Sequence, residues 1–235
     1  GYDEEELLAV CGFQDALREA REQGEIHLER DAVLLFSTNW PDQATVNMSR
    51  VTRINPVDGW DISRAEIEAR EQVFEIIAFL RRHIPGMREI RLMDTGAHIG
   101  LRESRRIVGE YVLTGDDCVG ARHFDDAILR NAYPVDIHQP DGSGGTDLFL
   151  PPGETYTIPY RCLVPVETDG LLAAGRCIST DHVAHASTRT SPTCMALGQA
   201  AGTAAALAVK HRVQPRALPI DELQRVLRQQ GADLG

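Results

Sequence analysis

The sequence predicts an α/β protein, and three observations carry that reading. Helical periodicity is clean in "EIEAREQVFEIIAFLRRHIPG", where Ala69, Val73, Ile76, Ile77, Leu80 and Ile84 recur every three or four residues until Pro85-Gly86 stops them. Short runs of β-branched and aromatic residues bounded by Gly or Pro recur on both sides of that helix. Near Glu167 the composition shifts, and a fully apolar run, "LLAAG", leads to an Ala/Gly-rich helix beginning near Pro192. The first two observations predict an α+β domain over residues 1–166, with a mixed or antiparallel sheet and helices on one face. The third predicts a second unit over residues 167–235.

The elements follow in order. Asp3 with Glu6 resembles a helix start, and "LLAVCGFQDALREAREQG" carries apolar residues at helical spacing to Gly24, with Gly12 as its weak point. "DAVLLFST" and "ATVNMSRV" are β-rich and separated by the turn-forming "NWPDQ", which predicts two neighbouring strands. Ser63 with Glu66 forms a capping-box pattern ahead of the long central helix. "REIRLMDTG", "RRIVGEYVLTG" and "ETYTIPYRCLVP" read as further strands, with a Gly-rich loop "PDGSGGTD" between the last two. Pro159 assigns the last of these to a sheet edge or a bulge. The chain closes with a helix from about Ile220 to Gly231.

Charge narrows the partners. With 24 Lys and Arg against 35 Asp and Glu, the net charge of −11 disfavours nucleic-acid phosphates and anionic membranes. A small-molecule substrate or another protein is the expected partner. Cys11, Cys118, Cys162, Cys177 and Cys194 are widely spaced, without a C-x-x-C pair, so neither a disulfide framework nor a zinc site is indicated and the expected compartment is cytoplasmic. The most membrane-like segment, Cys194 to Val209, is short and made mostly of Ala and Gly, so it reads as a buried helix. The opening "GYDEEELLAV" has no initiator Met and no signal-like run, and reads as cut from something longer.

Several groups could carry chemistry. Pro192 suits the first turn of a helix, and the free N–H groups of such a start attract negative charge. Gly198 and Gly202 lie on one face of that helix, where small residues let another backbone approach, and taken by themselves tight packing alone is the plainer reading. Arg102, Arg105 and Arg106, with Arg122 nearby, can hold a carboxylate or phosphate; pairing with Glu103, Glu110 or Asp116 in a solvated turn is the plainer reading. His182 and His185 form H-x-x-H, without the i,i+4 spacing and third ligand of a helical zinc site. No G-x-S-x-G marks a hydrolase.

Taken together, "GLRESRRIVGEYVLT", "YTIPYRCLVP" and "LLAAGRCISTDHVAHASTRTSPTCMALGQAAGTAAALA" resemble the C-terminal portion of the bacterial FAD-dependent oxidoreductases, a family distantly similar to the fumarate reductase and succinate dehydrogenase flavoproteins. The resemblance runs from about Ile90 to Leu234, and from Ala9 to Ile84 rests on the general pattern. It implies a substrate domain followed by the C-terminal strand and helices of a Rossmann-like FAD-binding domain. "LLAAGR" becomes the last strand and turn, with Gly175, Arg176 and Cys177 beside the ribityl-pyrophosphate region. Thr193, Cys194 and Met195 offer backbone N–H groups to the pyrimidine edge of the flavin, where a helix start favours the anionic reduced form. Arg105, Arg106 and Arg189 are the implied catalytic cations, and a hydride passes from substrate to FAD before a second acceptor reoxidises it. His138, Tyr156, Tyr160 and Arg161 are further candidates for substrate contact.

One departure from the family pattern matters. FAD-binding proteins receive the pyrophosphate on a G-x-G-x-x-G turn after a strand, and "GSGGTD" at Gly142 has the wrong spacing. The 235-residue chain by itself is therefore expected to hold FAD weakly and to be inactive unless completed, and its unfinished face can self-associate. Two rival readings remain at this point, a non-catalytic α+β binding or interaction domain derived from such an enzyme and a metal- or His-dependent hydrolase.

Overall fold

In the computed structural model, residues 9–28, 30–138 and 145–235 are described, and the chain forms two compact units, Gly1–Leu101 with Pro140–Gly142 and Arg102–Gln139 with Ser143–Gly235. Among the described residues there are six α-helices and small antiparallel sheets, a mixed α/β architecture. Glu167, where the composition shifts, falls inside the second unit. No helix among the described residues is long and apolar enough to cross a membrane.

The first unit is a three-stranded sheet with two helices. Strands β1 (Ala9–Gly12), β2 (Val33–Ser37) and β3 (Ala44–Val46) pair antiparallel in that order, so the two β-rich runs are neighbours as their composition predicts. The first helix is shorter than its periodicity suggests: α1 spans Gln14–Glu22, and Ala9–Gly12 pairs with β2 instead. The break falls after Gly12, where Phe13 takes the left-handed conformation at φ 62°, which a continuing helix cannot contain. Helix α2 runs Gly59–His83 and is capped by Asp58, whose carboxylate accepts from the Trp60 and Asp61 N–H groups. The Ser63–Glu66 pair therefore lies inside the helix, where Ser63 Oγ bonds back to the Gly59 carbonyl at 2.8 Å. Leu17, Ala20, Val33, Leu35, Ile76, Phe79 and Leu80 form the buried core that joins sheet to helices. "REIRLMDTG" forms no strand.

In the second unit α3 (Gly115–Val119), β4 (Ala127–Asn131), β5 (Val135–His138), β6 (Gly145–Leu148) and β7 (Tyr156–Pro159) precede α4 (His182–Thr188), α5 (Ser191–His211) and α6 (Ile220–Gln229). β4 pairs with β7 and β5 with β6, both antiparallel. Pro159 ends β7 opposite a register shift between Ala127 and Leu129, so its missing N–H falls where the ladder is already interrupted. Leu197, Ala200 and Ala204 turn one side of α5 into the core with Ile128, Ile158, Leu163 and Leu223. Its other side leaves Met195 75% and Val209 79% exposed. Of the expected loop from Pro140 to Asp147, residues 140–144 lie outside the described residues and the remainder pairs with β5 as part of β6.

Two segments expected to be strands are extended chain without a continuous ladder. Ile107–Leu113 runs between two neighbours, bonding Ile107 N–H to the Cys177 carbonyl at 2.9 Å, Glu110 N–H to Val164 at 2.9 Å and Leu113 N–H to Ser179 at 3.1 Å. Gly109 is required there, because a Cβ would come within 2.7 Å of Ser179 Cβ and 3.0 Å of the Arg161 carbonyl. Leu171–Ala174 is likewise irregular, with Ala173 N–H on the Leu163 carbonyl at 2.9 Å, and Leu171 is 48% exposed. An apolar run becomes a buried parallel strand when strands flank it, and none among the described residues does so.

Candidate active site

The residues singled out by sequence come together in the second unit, and backbone hydrogen bonds explain how. The Ile107–Cys177 bond ties the "RESRR" segment to the Gly175–Cys177 turn. Asp181 caps α4 by accepting from Ala184 N–H at 2.6 Å, and its other oxygen takes the Gly115 N–H at 3.0 Å, which fixes the start of the helix that carries His182 and His185. Arg189 closes α4, and α5 begins two residues later.

Glu103 organises the centre of this cluster. Its Oε1 pairs with the Arg106 guanidinium, and its Oε2 lies 2.8 Å from His182 Nδ1 and 3.9 Å from His185 Nδ1. His182 is 47% exposed at its side chain, whereas His185 is 2% exposed. Burial first, then the charges of Arg106 and Arg189, push the His185 pKa down to about 4, so its ring is neutral at neutral pH. Among the described residues, His185 Nε2 and Arg189 Nε are buried without a hydrogen-bond partner.

A second carboxylate, Asp136 on β5, holds two more guanidinium groups. Arg189 reaches its Oδ2 at 2.8 Å and Arg102 at 3.4 Å, and Arg102 also donates to the Asp136 carbonyl. Burial, and next the Arg189 charge, lower the Arg102 pKa, while Asp136 opposes them. Three of the four arginines here are thus paired. Arg105 is exposed and makes no hydrogen bond or ion pair among the described residues.

At the other side of the cluster the Gly175 turn is open. Gly175 has φ +89°, and a Cβ built on it would meet nothing within 4 Å. Arg176 and Cys177 are exposed, and Cys177 Sγ lies 3.3 Å from the Ala174 carbonyl. Helix α5 starts with Pro192 in its first turn and Thr190 as N-cap, without a side-chain cap bond. Cys194 N–H is taken by the Thr190 carbonyl at 2.9 Å, and Met195 N–H by helical geometry reaches the Ser191 carbonyl. The N–H groups without an intrahelical acceptor are therefore those of Ser191 and Thr193. The Thr193 side chain is buried, with its hydroxyl 2.9 Å from that of Thr190, and Met195 stands exposed. Above Gly198 and Gly202 there is also open space.

The remaining candidates serve the packing. Tyr156 is 0% exposed, its hydroxyl bonded to Asn131 and Ser187; Tyr160 is 2% exposed, bonded to the Pro215 carbonyl. Neither hydroxyl is open to a substrate. Arg161 forms a two-point pair with Asp126 and lies over the Tyr111 ring. The His138 side chain is outside the described residues. An open cleft of about 490 Å³ lies at Arg122, Phe124, Tyr160, Arg161 and Arg216, away from the Glu103 cluster. Each guanidinium lining it is already paired with a carboxylate: Asp117, Asp126 or Glu110.

The pairing of an arginine with Glu103 is as the sequence suggests, whereas the contact of Glu103 with His182 and the role of Asp136 are not foreseen there. The H-x-x-H spacing was the available signal, since residues three apart share a helix face and converge on one carboxylate.

The second unit thus places charged side chains, two of them with unmatched buried nitrogens among the described residues, in the same unit as an open glycine turn and a helix start. The chain belongs to the FAD dependent oxidoreductase family, which it matches over residues 2–227. That match takes in the N-terminal region as well as the motifs of the second unit. No curated protein and no solved structure matches the chain.

Proposed function

We propose that this chain contributes the flavin ring and substrate contacts of an enzyme that oxidises a small molecule by hydride transfer to FAD. The observation that carries the reading is the convergence of the Gly175 turn, the α5 start and the Glu103 cluster in one unit of a family member. The residues suit the cofactor. Gly175 has open space above it, Ser191 and Thr193 hold N–H groups without intrahelical acceptors, and the α5 positions beside them are small or exposed.

FAD, when bound, supplies the hydride acceptor. Gly175, with open space around it, would let the cofactor approach the backbone, and the Ser191 and Thr193 N–H groups with the α5 dipole would favour negative charge on it. Arg176 adds a cation at the same turn. On the substrate side, Arg106 and Arg189 are held by Glu103 and Asp136 and set the field of the site, while Arg105 is free to bind an anion. Buried His185 keeps that field constant by staying neutral.

The test is spectroscopic. The complete protein, purified with its flavin, should show the visible band of oxidised FAD and lose it when substrate is added. A complete protein without FAD, even after incubation with excess cofactor, would exclude this function.

A further inference from the structure

We propose that His182, oriented by Glu103, accepts the hydroxyl proton of a hydroxy-carboxylate substrate whose carboxylate is held by Arg105. This rests on the flavin-dependent reading and names the substrate class and proton acceptor of the same site.

The geometry of Glu103 carries the argument. Its two oxygens are divided, Oε1 on Arg106 and Oε2 on His182 Nδ1 at 2.8 Å, so the carboxylate is anchored before it touches the imidazole. An ionised carboxylate only accepts, so His182 carries a hydrogen on Nδ1, and in the neutral ring Nε2 is the nitrogen left to accept a proton. With 47% of the side chain exposed, the ring is within reach of a ligand from solvent. A histidine whose tautomer is fixed by an anchored, partly buried carboxylate is the arrangement that proton abstraction needs. The groups facing it are Glu103, Arg106 behind that carboxylate, and His185, which lies 3.9 Å from the same oxygen and is too buried to meet substrate.

The substrate class follows from the remaining cation. Arg102 and Arg189 are taken by Asp136 and Arg106 by Glu103, which leaves Arg105, two residues along the chain from Glu103, exposed and without a partner among the described residues. A guanidinium fork of this kind grips a carboxylate through two parallel bonds. In the step assigned here the hydroxyl O–H breaks and its proton moves to His182 Nε2. The O–H electrons form the second bond of the new carbonyl, and the C–H hydrogen leaves with its electron pair to the FAD of the family. The products are an oxo-carboxylate, reduced flavin and protonated His182.

Two measurements test this. The first needs no flavin: long-range ¹H–¹⁵N correlation spectra of the imidazoles should show His182 with its hydrogen on Nδ1, moving to Nε2 in Glu103→Ala. A wild-type His182 protonated on Nε2 overturns the proposal. The second follows flavin reduction in the complete, FAD-loaded protein with glycolate, DL-lactate and DL-malate. At least one should reduce the flavin, with His182→Gln slowing the step by about 100-fold or more at an unchanged FAD spectrum. Arg105→Ala should raise KM by on the order of 10-fold with a smaller change in kcat. A full rate in His182→Gln, or a loaded protein that none of the three reduces, overturns this proposal and leaves the flavin reading standing. Failure to hold FAD at all overturns the flavin reading itself, and the tautomer measurement still reports on the dyad.

Discussion

Two polar networks in the second unit use similar groups and differ in how completely their hydrogen bonds close. Around Tyr156 every group is matched: its hydroxyl meets Ser187 Oγ at 2.6 Å and Asn131 Nδ2 at 2.8 Å, and Ser187 donates to the Tyr133 carbonyl at 2.6 Å. Burial above all raises the Tyr156 pKa far above its ordinary value, so the ring stays neutral. Around Glu103 the pairing stops short, with His182 half exposed and, among the described residues, Arg105 without a partner and His185 Nε2 and Arg189 Nε unmatched. A closed network specifies packing, whereas an open one holds charge and direction in readiness for a ligand.

That contrast can be broken by substitution. The largest effect belongs to the closed network: Tyr156→Ala should cost about 3–5 kcal/mol of unfolding free energy, because it opens a cavity and orphans Asn131 and Ser187. Tyr156→Phe keeps the ring and should cost about 1–2 kcal/mol, measured for both by urea denaturation.

The open network should show itself in pH. His185 has a folded-state pKa of about 4, below its ordinary value, so it favours the fold while neutral. Its contribution is present above an unfolded pKa of about 6.5 and is lost as pH falls toward about 4. Between pH 7 and pH 5 this amounts to about 2 kcal/mol, and His185→Gln should flatten that part of the urea-midpoint profile. An unchanged slope would show that His185 is not held neutral by its surroundings.

Smaller effects sharpen the distinction between packing and binding. Gly175→Ala should cost about 1 kcal/mol through its left-handed backbone alone, since open space surrounds the added Cβ. The same change should weaken FAD binding by more than it weakens the fold. Arg105→Ala should alter stability by no more than about 0.5 kcal/mol while impairing flavin reduction. Equal losses of stability and activity would make Arg105 a structural residue.

Much of this was legible in the sequence where a local rule has no competitor. Helices α2, α5 and α6 announce themselves by periodicity, Pro192 and Gly231, and the pairing of β2 with β3 follows from two β-rich runs around a turn. Where tertiary contacts decide, local pattern misled. Ala9–Gly12 has helical spacing yet pairs with Val33–Phe36. Leu171–Ala174 has a strand's composition and no ladder. β4, β5 and α3 were not foreseen, because "AILRN", "VDIH" and "GDDCV" are too short for either period to register. In the site, cations and glycines stand out as residue types and Glu103 as a local partner for an arginine, but the Glu103–His182 and Asp136–Arg189 contacts became visible only once the fold brought distant segments together.

The central claim is that FAD lies against the Gly175 turn and the α5 start. Hydrogen–deuterium exchange of the protein with and without saturating FAD tests it most directly. The account predicts slowed exchange confined to Gly175–Cys177 and Ser191–Thr193, and absent in Gly175→Val. Protection that skips both segments, or that appears at Arg122–Asp126 beside the paired-arginine cleft, would contradict it.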